Sequence, residues 1–89
     1  MKLIEGEIIL YGTAWCFDTR QSRRYLDNNQ IPYRYIDIDK DRDARAYVEK
    51  VNRGCRSVPT IVFPDKSILV EPSDDELEER CRPFLKIDS

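Results

Sequence analysis

The three cysteines of this chain are the residues best suited to chemistry, and they stand at positions 16, 55 and 81. No two of them have C-x-x-C spacing, and the 89 residues include no histidine. Cys-His and Ser-His-Asp catalysis and the usual zinc sites are therefore excluded. An odd, sparse set of cysteines also argues against a disulfide-stapled secreted domain. We expect thiols that are reactive, structural or both, and no metal site.

Cys16 has the sequence context of a reactive thiol. It follows an apolar segment and a loop that contains Gly12, and it stands at the start of a predicted helix. The free N–H groups and the positive dipole end of a helix N-terminus stabilise a thiolate. Arg20, one helical turn later, can add positive charge. The alternative is a small buried cysteine in a turn, and position alone does not decide between the two interpretations.

The elements that must position Cys16 follow from the apolar pattern. Strands are predicted over residues 7–11, 33–38, 60–63 and 67–70. We expect the first of them to be central and buried on both faces. The last two should form an antiparallel hairpin whose turn contains Pro64.

Three helices are predicted between and after these strands. The first covers residues 17–29, and the second presents an apolar face over residues 44–51 after a cap at Asp39 or Asp41. The third begins at Ser73 with a capping box to Glu76 and stops or kinks at Pro83. Its inner face consists of Leu77, Cys81 and Phe84.

The resulting order β-α-β-α-β-β-α predicts an α/β fold, with a four-stranded mixed sheet flanked by three helices. The first two strands should be parallel, because a right-handed crossover helix joins them. Residues 1–89 suit one small domain, which we expect to be monomeric.

The net charge and the hydropathy of the chain limit the kinds of partner and the cellular location that we expect. A net charge of −2 argues against a nucleic-acid partner. The apolar runs are too short to span a membrane. The first six residues do not resemble a signal peptide, so we expect a cytoplasmic protein.

Three motifs in order then carry a resemblance to a known family. They are residues 15–19 (WCFDT) after the first strand, residues 56–63 (RSVPTIVF) and residues 72–75 (PSDD). Together they resemble glutaredoxins, and most nearly the mycoredoxin group, over about residues 7–85. The resemblance implies a thioredoxin-like fold with a cis peptide bond before Pro59.

The resemblance also implies roles for single residues. Cys16 would be the nucleophile that attacks a disulfide or a glutathione mixed disulfide, and Trp15 would line the substrate groove or only pack the loop. Val58, just before Pro59, would pair its backbone with the cysteinyl part of glutathione. The remaining implied contacts are Ser73 and Asp74 for the γ-glutamyl end, and Arg45, Arg56 or Arg20 for the glycine carboxylate.

The chain departs from the dithiol pattern at Thr19, where such family members have a second cysteine. Threonine cannot resolve a mixed disulfide, although its hydroxyl can hydrogen-bond the Cys16 thiolate. Either a free small thiol resolves the intermediate, or Cys55 does, four residues before Pro59. Cys81 is predicted to be a core residue. Thr13 stands where many glutaredoxins have lysine, so mycothiol, bacillithiol or another thiol could replace glutathione.

These observations predict a monothiol, glutaredoxin-like thiol-disulfide oxidoreductase. Its partners would be a glutathione-like thiol as cosubstrate and proteins that carry a disulfide or a bound small thiol, with no tightly held cofactor. One alternative is an iron–sulfur cluster carrier, although residues 16–19 read Cys-Phe-Asp-Thr and not the Cys-Gly-Phe-Ser associated with that role. The other is a redox-inactive thiol adaptor.

Overall fold

The computed structural model describes residues 3–4 and 6–86, and in residues 3, 4 and 86 the backbone alone. The strands are β1 (Leu3–Ile4), β2 (Ile9–Gly12), β3 (Arg34–Asp37), β4 (Thr60–Val62), β5 (Ile68–Val70) and β6 (Leu85–Lys86). The α-helices are α1 (Phe17–Asn28), α2 (Arg42–Val51) and α3 (Asp74–Cys81), and a 3₁₀ turn, Arg82–Phe84, follows α3.

Strands β3, β2, β4 and β5 form a mixed sheet in that order. Strand β2 is parallel to β3, with Leu10 opposite Tyr35, and antiparallel to β4, with Leu10 opposite Ile61. Strands β4 and β5 form the predicted hairpin, in which the Lys66 N–H donates to the Phe63 carbonyl across the turn. The predicted four-stranded mixed sheet with three α-helices is therefore confirmed.

One apolar cluster joins the sheet to helices α1 and α3. Its buried members are Ile8, Leu10, Leu26, Ile31, Ile61, Phe63, Leu77 and Cys81. Cys81 is fully buried, as predicted for a core thiol. The ring of Phe84 stacks on Phe63 at 6.0 Å between centroids, so the predicted inner face of the third helix is confirmed.

A smaller cluster covers the other sheet face. It consists of Ile38, Ala44, Val48 and Val58, and helix α2 supplies two of these residues. Because one short helix covers this face, alternate residues of β2 remain half-buried. The prediction that the first strand is buried on both faces is therefore wrong.

The helix ends follow the predicted local chemistry. Asp41, and not Asp39, caps α2, since its carboxylate accepts from the Ala44 N–H at 3.0 Å. Ser73 and Glu76 form the capping box of α3. Helix α3 ends at Cys81, two residues before Pro83, as expected for a residue without an N–H.

Strands β1 and β6 pair antiparallel as a separate two-stranded sheet, which the sequence did not predict. Each has two residues, too few to give a period-2 pattern. In the described part of the chain, no helix is long and apolar enough to cross a membrane.

Candidate active site

Cys16 is the N-cap residue of helix α1. Its backbone is extended, with φ −79° and ψ 127°, and its side chain makes no capping hydrogen bond. The residue is half-buried and packs against the smaller apolar cluster around Val58. Its Sγ donates to the Val58 carbonyl oxygen at 3.9 Å, a weak thiol hydrogen bond. The structure thus places the predicted nucleophile at a helix start and against the predicted backbone partner.

The first turn of α1 leaves backbone donors available near this thiol. Helix N-termini carry N–H groups without intrahelical partners, and no side chain caps those of α1. The exposed Asp18 carboxylate is in the same turn and carries the opposite charge to the helix end. The helix N-terminus favours a negative charge at the Cys16 position, whereas the Asp18 carboxylate opposes one.

The segment that contains Val58 is anchored by the sheet. The Val58–Pro59 peptide bond is cis, and both residues are buried. The Pro59 carbonyl accepts from the Glu71 N–H at 2.9 Å, which ties the segment to the residues between β5 and α3. The predicted sites at Val58, Pro59 and Ser73 therefore lie on connected backbone.

Two aromatic side chains flank Cys16 in sequence and face solvent. Trp15 is 72% exposed and Phe17 is 65% exposed. The Trp15 indole Nε1–H donates to Asp39 Oδ2 at 2.8 Å. Two roles were predicted for Trp15, lining the substrate groove or only packing the loop. A side chain this exposed does not agree with the second role. Asp39 was missed as a site residue, because it is distant in sequence and no local pattern connects it to Trp15.

Thr19 lies beneath the loop and does not contact the nucleophile through a hydrogen bond. Its side chain is fully buried, and its Oγ1 accepts from the Thr13 N–H at 3.4 Å. A β-carbon at position 12 would overlap the Thr19 side chain, so Gly12 is needed there. Among the described residues no hydrogen bond joins Thr19 to Cys16, which corrects the expected hydroxyl–thiolate contact. The hydroxyl supports the loop backbone instead.

The three candidate arginines differ in their contacts. Arg20 is exposed, and its side chain makes no ion pair within residues 6–86. Arg45 Nη1 donates to the Ile38 carbonyl at 3.3 Å. Arg56 Nε pairs with Glu49 at 3.5 Å across exposed surface. Arg20 is therefore the least engaged of the three.

The start of α3 is already occupied by its own side chains. The Ser73 Oγ accepts from the Glu76 N–H at 3.2 Å, and the Glu76 carboxylate accepts from the Ser73 N–H at 3.0 Å. That hydrogen bond lowers the pKa of Glu76 below its usual value. Asp74 is exposed beside this box. The capping box occupies the Ser73 and Glu76 N–H groups, so a ligand at this helix end would have to use other groups, such as the Ser73 hydroxyl proton and Asp74.

The other two cysteines have different surroundings. Cys55 is exposed in the loop after Gly54, which has a positive φ of 91°. Cys81 is buried, and no disulfide joins the three cysteines, all of which lie within the described residues. Over the described residues, no group of three or more cysteine, aspartate or glutamate side chains is arranged to hold a metal ion.

Comparisons with known proteins agree with this geometry. The glutaredoxin family model matches residues 8–68. A Mycobacterium tuberculosis protein with the name "Putative glutaredoxin" is 37% identical over 78 residues, which cover 88% of this chain and 93% of that protein. Mycoredoxin 1 of Corynebacterium glutamicum is 35% identical over 67 residues, which cover 75% of this chain and 82% of the relative.

A solved structure supports the fold independently. The crystal structure of a thioredoxin-like protein superposes with a TM-score of 0.71 at 23% identity, covering 82% of this chain and 97% of that one. The architecture is therefore the thioredoxin-like one, with Cys16 at the first helix. The match of the family model to most of the chain shows that this protein belongs to the glutaredoxin family.

Proposed function

We propose that this protein reduces mixed disulfides between proteins and a small thiol, with Cys16 as its nucleophile. The observation that carries the proposal is the position of Cys16 at the uncapped start of α1, with its Sγ 3.9 Å from the Val58 carbonyl. An uncapped helix N-terminus favours the thiolate, which is the form that attacks disulfides.

The reaction would proceed in two exchanges. The Cys16 thiolate attacks the small-thiol sulfur of the protein mixed disulfide, and a new Cys16–small-thiol disulfide forms. The substrate's cysteine leaves as a thiolate and takes a proton. A second small thiol, as its thiolate, then attacks the sulfur of the bound small thiol. The Cys16 thiolate is released, and the two small thiols leave as their disulfide.

The small thiol would be held beside Cys16 by backbone pairing at Val58. When Cys16 is protonated, the Val58 carbonyl accepts a hydrogen bond from its thiol. Loss of the thiol proton removes this hydrogen bond, and the carbonyl can then accept from a ligand N–H. The Ser73 hydroxyl and Asp74 would bind the ligand's amino-acid end. Arg20, which has the least engaged guanidinium, would bind a ligand carboxylate ahead of Arg45 or Arg56.

The mechanism would be monothiol, because Thr19 is buried and cannot form a disulfide. We propose a free small thiol as the resolving group, of the glutathione or mycothiol type. The relationship to mycoredoxin 1 of Corynebacterium glutamicum favours the mycothiol type. Cys55, exposed three residues before Val58, is the alternative resolver. The lack of a disulfide among the three described cysteines suits a reducing cytoplasm, and the small chain would act as a monomer.

A turnover assay tests this proposal. The natural chain is mixed with a protein that carries a glutathione or mycothiol mixed disulfide, and release of the protein thiol is followed. Cys16→Ser should abolish release, while Cys55→Ser and Cys81→Ser should retain it. Full activity of Cys16→Ser would refute the proposal. Loss of activity in Cys55→Ser would replace the monothiol route with an internal Cys16–Cys55 disulfide.

A further inference from the structure

We infer that a groove beside helix α1 binds an extended acidic segment of a partner protein. The groove lies between α1, the turn at residues 30–32 and strand β3, and its volume is about 710 Å³. A hollow of about 270 Å³ adjoins it along α1. The residues that define this α1–β3 groove are Arg20, Arg23, Arg24, Tyr33 and Tyr35.

The charge of the α1–β3 groove opposes that of the whole chain. Its three arginines stand within two turns of one helix, and none makes an ion pair with another described residue. Asp27 is the one carboxylate residue that lines both hollows. A net positive groove on a protein of net charge −2 is complementary to acidic side chains.

Arg23 is held in place before any ligand arrives. Its guanidinium carbon lies 3.9 Å from the centroid of the Tyr35 ring, and its Nε donates to the Tyr33 hydroxyl at 3.4 Å. These contacts leave the terminal guanidinium nitrogens available for a carboxylate. A planar, pre-positioned guanidinium suits paired hydrogen bonds to a carboxylate.

The backbone of β3 forms an open edge of the sheet beside these arginines. Strand β3 pairs with β2 alone within the described sheet. The Arg34 N–H donates to the Ile8 carbonyl at 2.8 Å, and the Ile38 N–H donates to the Gly12 carbonyl at 3.0 Å. Because successive residues of a strand direct their backbone groups to opposite edges, the Tyr35 N–H and carbonyl face away from β2. An extended peptide can pair with such an edge as an added strand.

These features favour a peptide over single-stranded RNA as the occupant. Base recognition by tyrosine requires a free ring face, and Arg23 already covers one face of Tyr35. The Tyr35 hydroxyl is buried and has no hydrogen-bond partner among the described residues. Backbone pairing along β3 uses neither ring face and leaves acidic side chains free to reach the arginines.

The probe for this groove is a short fluorescein-labelled peptide that alternates glutamate and valine. Fluorescence anisotropy with the full chain at low salt should show binding that weakens as salt is added. A peptide with lysine in place of glutamate should not bind. In ¹⁵N NMR spectra of the same samples, the Tyr35 amide should shift strongly. A version with proline at alternate positions should lose binding, because proline lacks the N–H needed for strand pairing.

Matched variants assign the binding to the groove. Arg23→Gln/Arg24→Gln should weaken the glutamate peptide by about tenfold or more, as expected for lost charge-assisted hydrogen bonds. Arg42→Gln is the control, because it removes one arginine charge outside the groove, at the exposed start of α2. It should change the affinity for the glutamate peptide less than about twofold. Arg24→Gln alone, on an exposed side chain, should keep the fold and still weaken binding.

The same binding assay on Cys16→Ser keeps this inference separate from the redox proposal, since the groove does not include Cys16. Binding should persist there even if turnover is lost. Equal affinity for the glutamate and lysine peptides, no shift at Tyr35, or full affinity in Arg24→Gln would overturn the inference. The inference would also be overturned if oligouridylate displaced the labelled peptide at a lower concentration than the unlabelled peptide does. Sedimentation evidence that a second copy of the chain covers the groove would overturn it as well.

Discussion

Helices α1 and α3 begin in opposite ways. At the start of α3, Ser73 and Glu76 satisfy each other's backbone N–H groups in a reciprocal capping box. At the start of α1, Cys16 occupies the capping position and its side chain makes no capping hydrogen bond. Helix α2 resembles α3, since Asp41 caps it. Of the three α-helices described, only the one that begins at a thiol leaves its first turn uncapped.

The capped start of α3 and the uncapped start of α1 serve different purposes, the first the stability of the fold and the second the chemistry at Cys16. A capped helix start uses its backbone donors to stabilise the fold, and a good cap contributes about 1 kcal/mol. An uncapped start gives up that contribution and keeps its donors for a negative charge that forms during a reaction. The site at Cys16 therefore costs stability that the start of α3 retains. Four substitutions test this contrast, from the largest expected effect to the smallest.

Cys16→Ser converts the open start of α1 into a capped one. We expect turnover of a small-thiol mixed disulfide to fall at least about a thousandfold, because the hydroxyl is a far weaker nucleophile than a thiolate. The free energy of unfolding should rise by up to about 1 kcal/mol, since serine is a strongly preferred N-cap residue. Enzyme assays and urea denaturation measure the two effects. A variant that is inactive and also destabilised would contradict the contrast.

Leu77→Ala tests the stability side of the contrast at α3. Leu77 is fully buried in the larger apolar cluster, so its truncation should lower the free energy of unfolding by about 3 kcal/mol. Turnover per folded molecule should stay close to that of the natural chain. Val70→Ala, on an exposed side chain of β5, is the control and should cost less than about 1 kcal/mol. Equal losses in the two variants would show that the cluster does not hold α3 in place.

Ser73→Ala removes one half of the capping box. The free energy of unfolding should fall by about 1 kcal/mol, because the Glu76 N–H loses its acceptor. Ser73→Asp restores a side-chain acceptor and should recover most of the loss. Thermal denaturation of the three proteins measures the effect. If the aspartate variant is no more stable than the alanine variant, the cap is not the source of the stability.

Glu76→Gln tests the other half of the box through its pH dependence. The hydrogen bond from the Ser73 N–H lowers the pKa of the Glu76 carboxyl in the folded protein. The stabilisation is therefore present above the ordinary pKa and is lost as the pH falls through the lower, folded value. Glutamine does not titrate, so the variant should lose less stability on acidification. Denaturation midpoints of the natural chain and of Glu76→Gln are measured from neutral pH to below pH 4. If both midpoints fall equally as the pH is lowered, this role for Glu76 is contradicted.

The sequence was most informative where the determining residues are close together. The capping box spans four positions, from Ser73 to Glu76, and the stop at Pro83 follows from its missing N–H. The β-α-β order and the hairpin followed in the same way from local apolar patterns. The two-residue strands β1 and β6 were missed because strands so short leave no pattern.

The candidate site was less predictable because its contacts are distant in sequence. The family resemblance placed Cys16 and Val58 in one site, and the structure adds their hydrogen bond across 42 positions. It did not indicate that Asp39 holds the Trp15 indole across 24 positions. The chemistry of threonine allowed a hydrogen bond from Thr19 to the thiolate, whereas in the structure the buried hydroxyl supports the Thr13 backbone. Side-chain direction at a helix start depends on the loop packed above it, and local sequence does not encode that packing.

The most direct test of the account is to identify which cysteine reacts first. The reduced natural chain is exposed briefly to oxidised glutathione and, in a parallel sample, to the mycothiol disulfide, and is then analysed by intact mass and peptide mapping. We predict one small-thiol adduct, located on Cys16 at the uncapped start of α1, with the buried Cys81 unmodified. A Cys16 that stays unmodified by both disulfides would contradict the account.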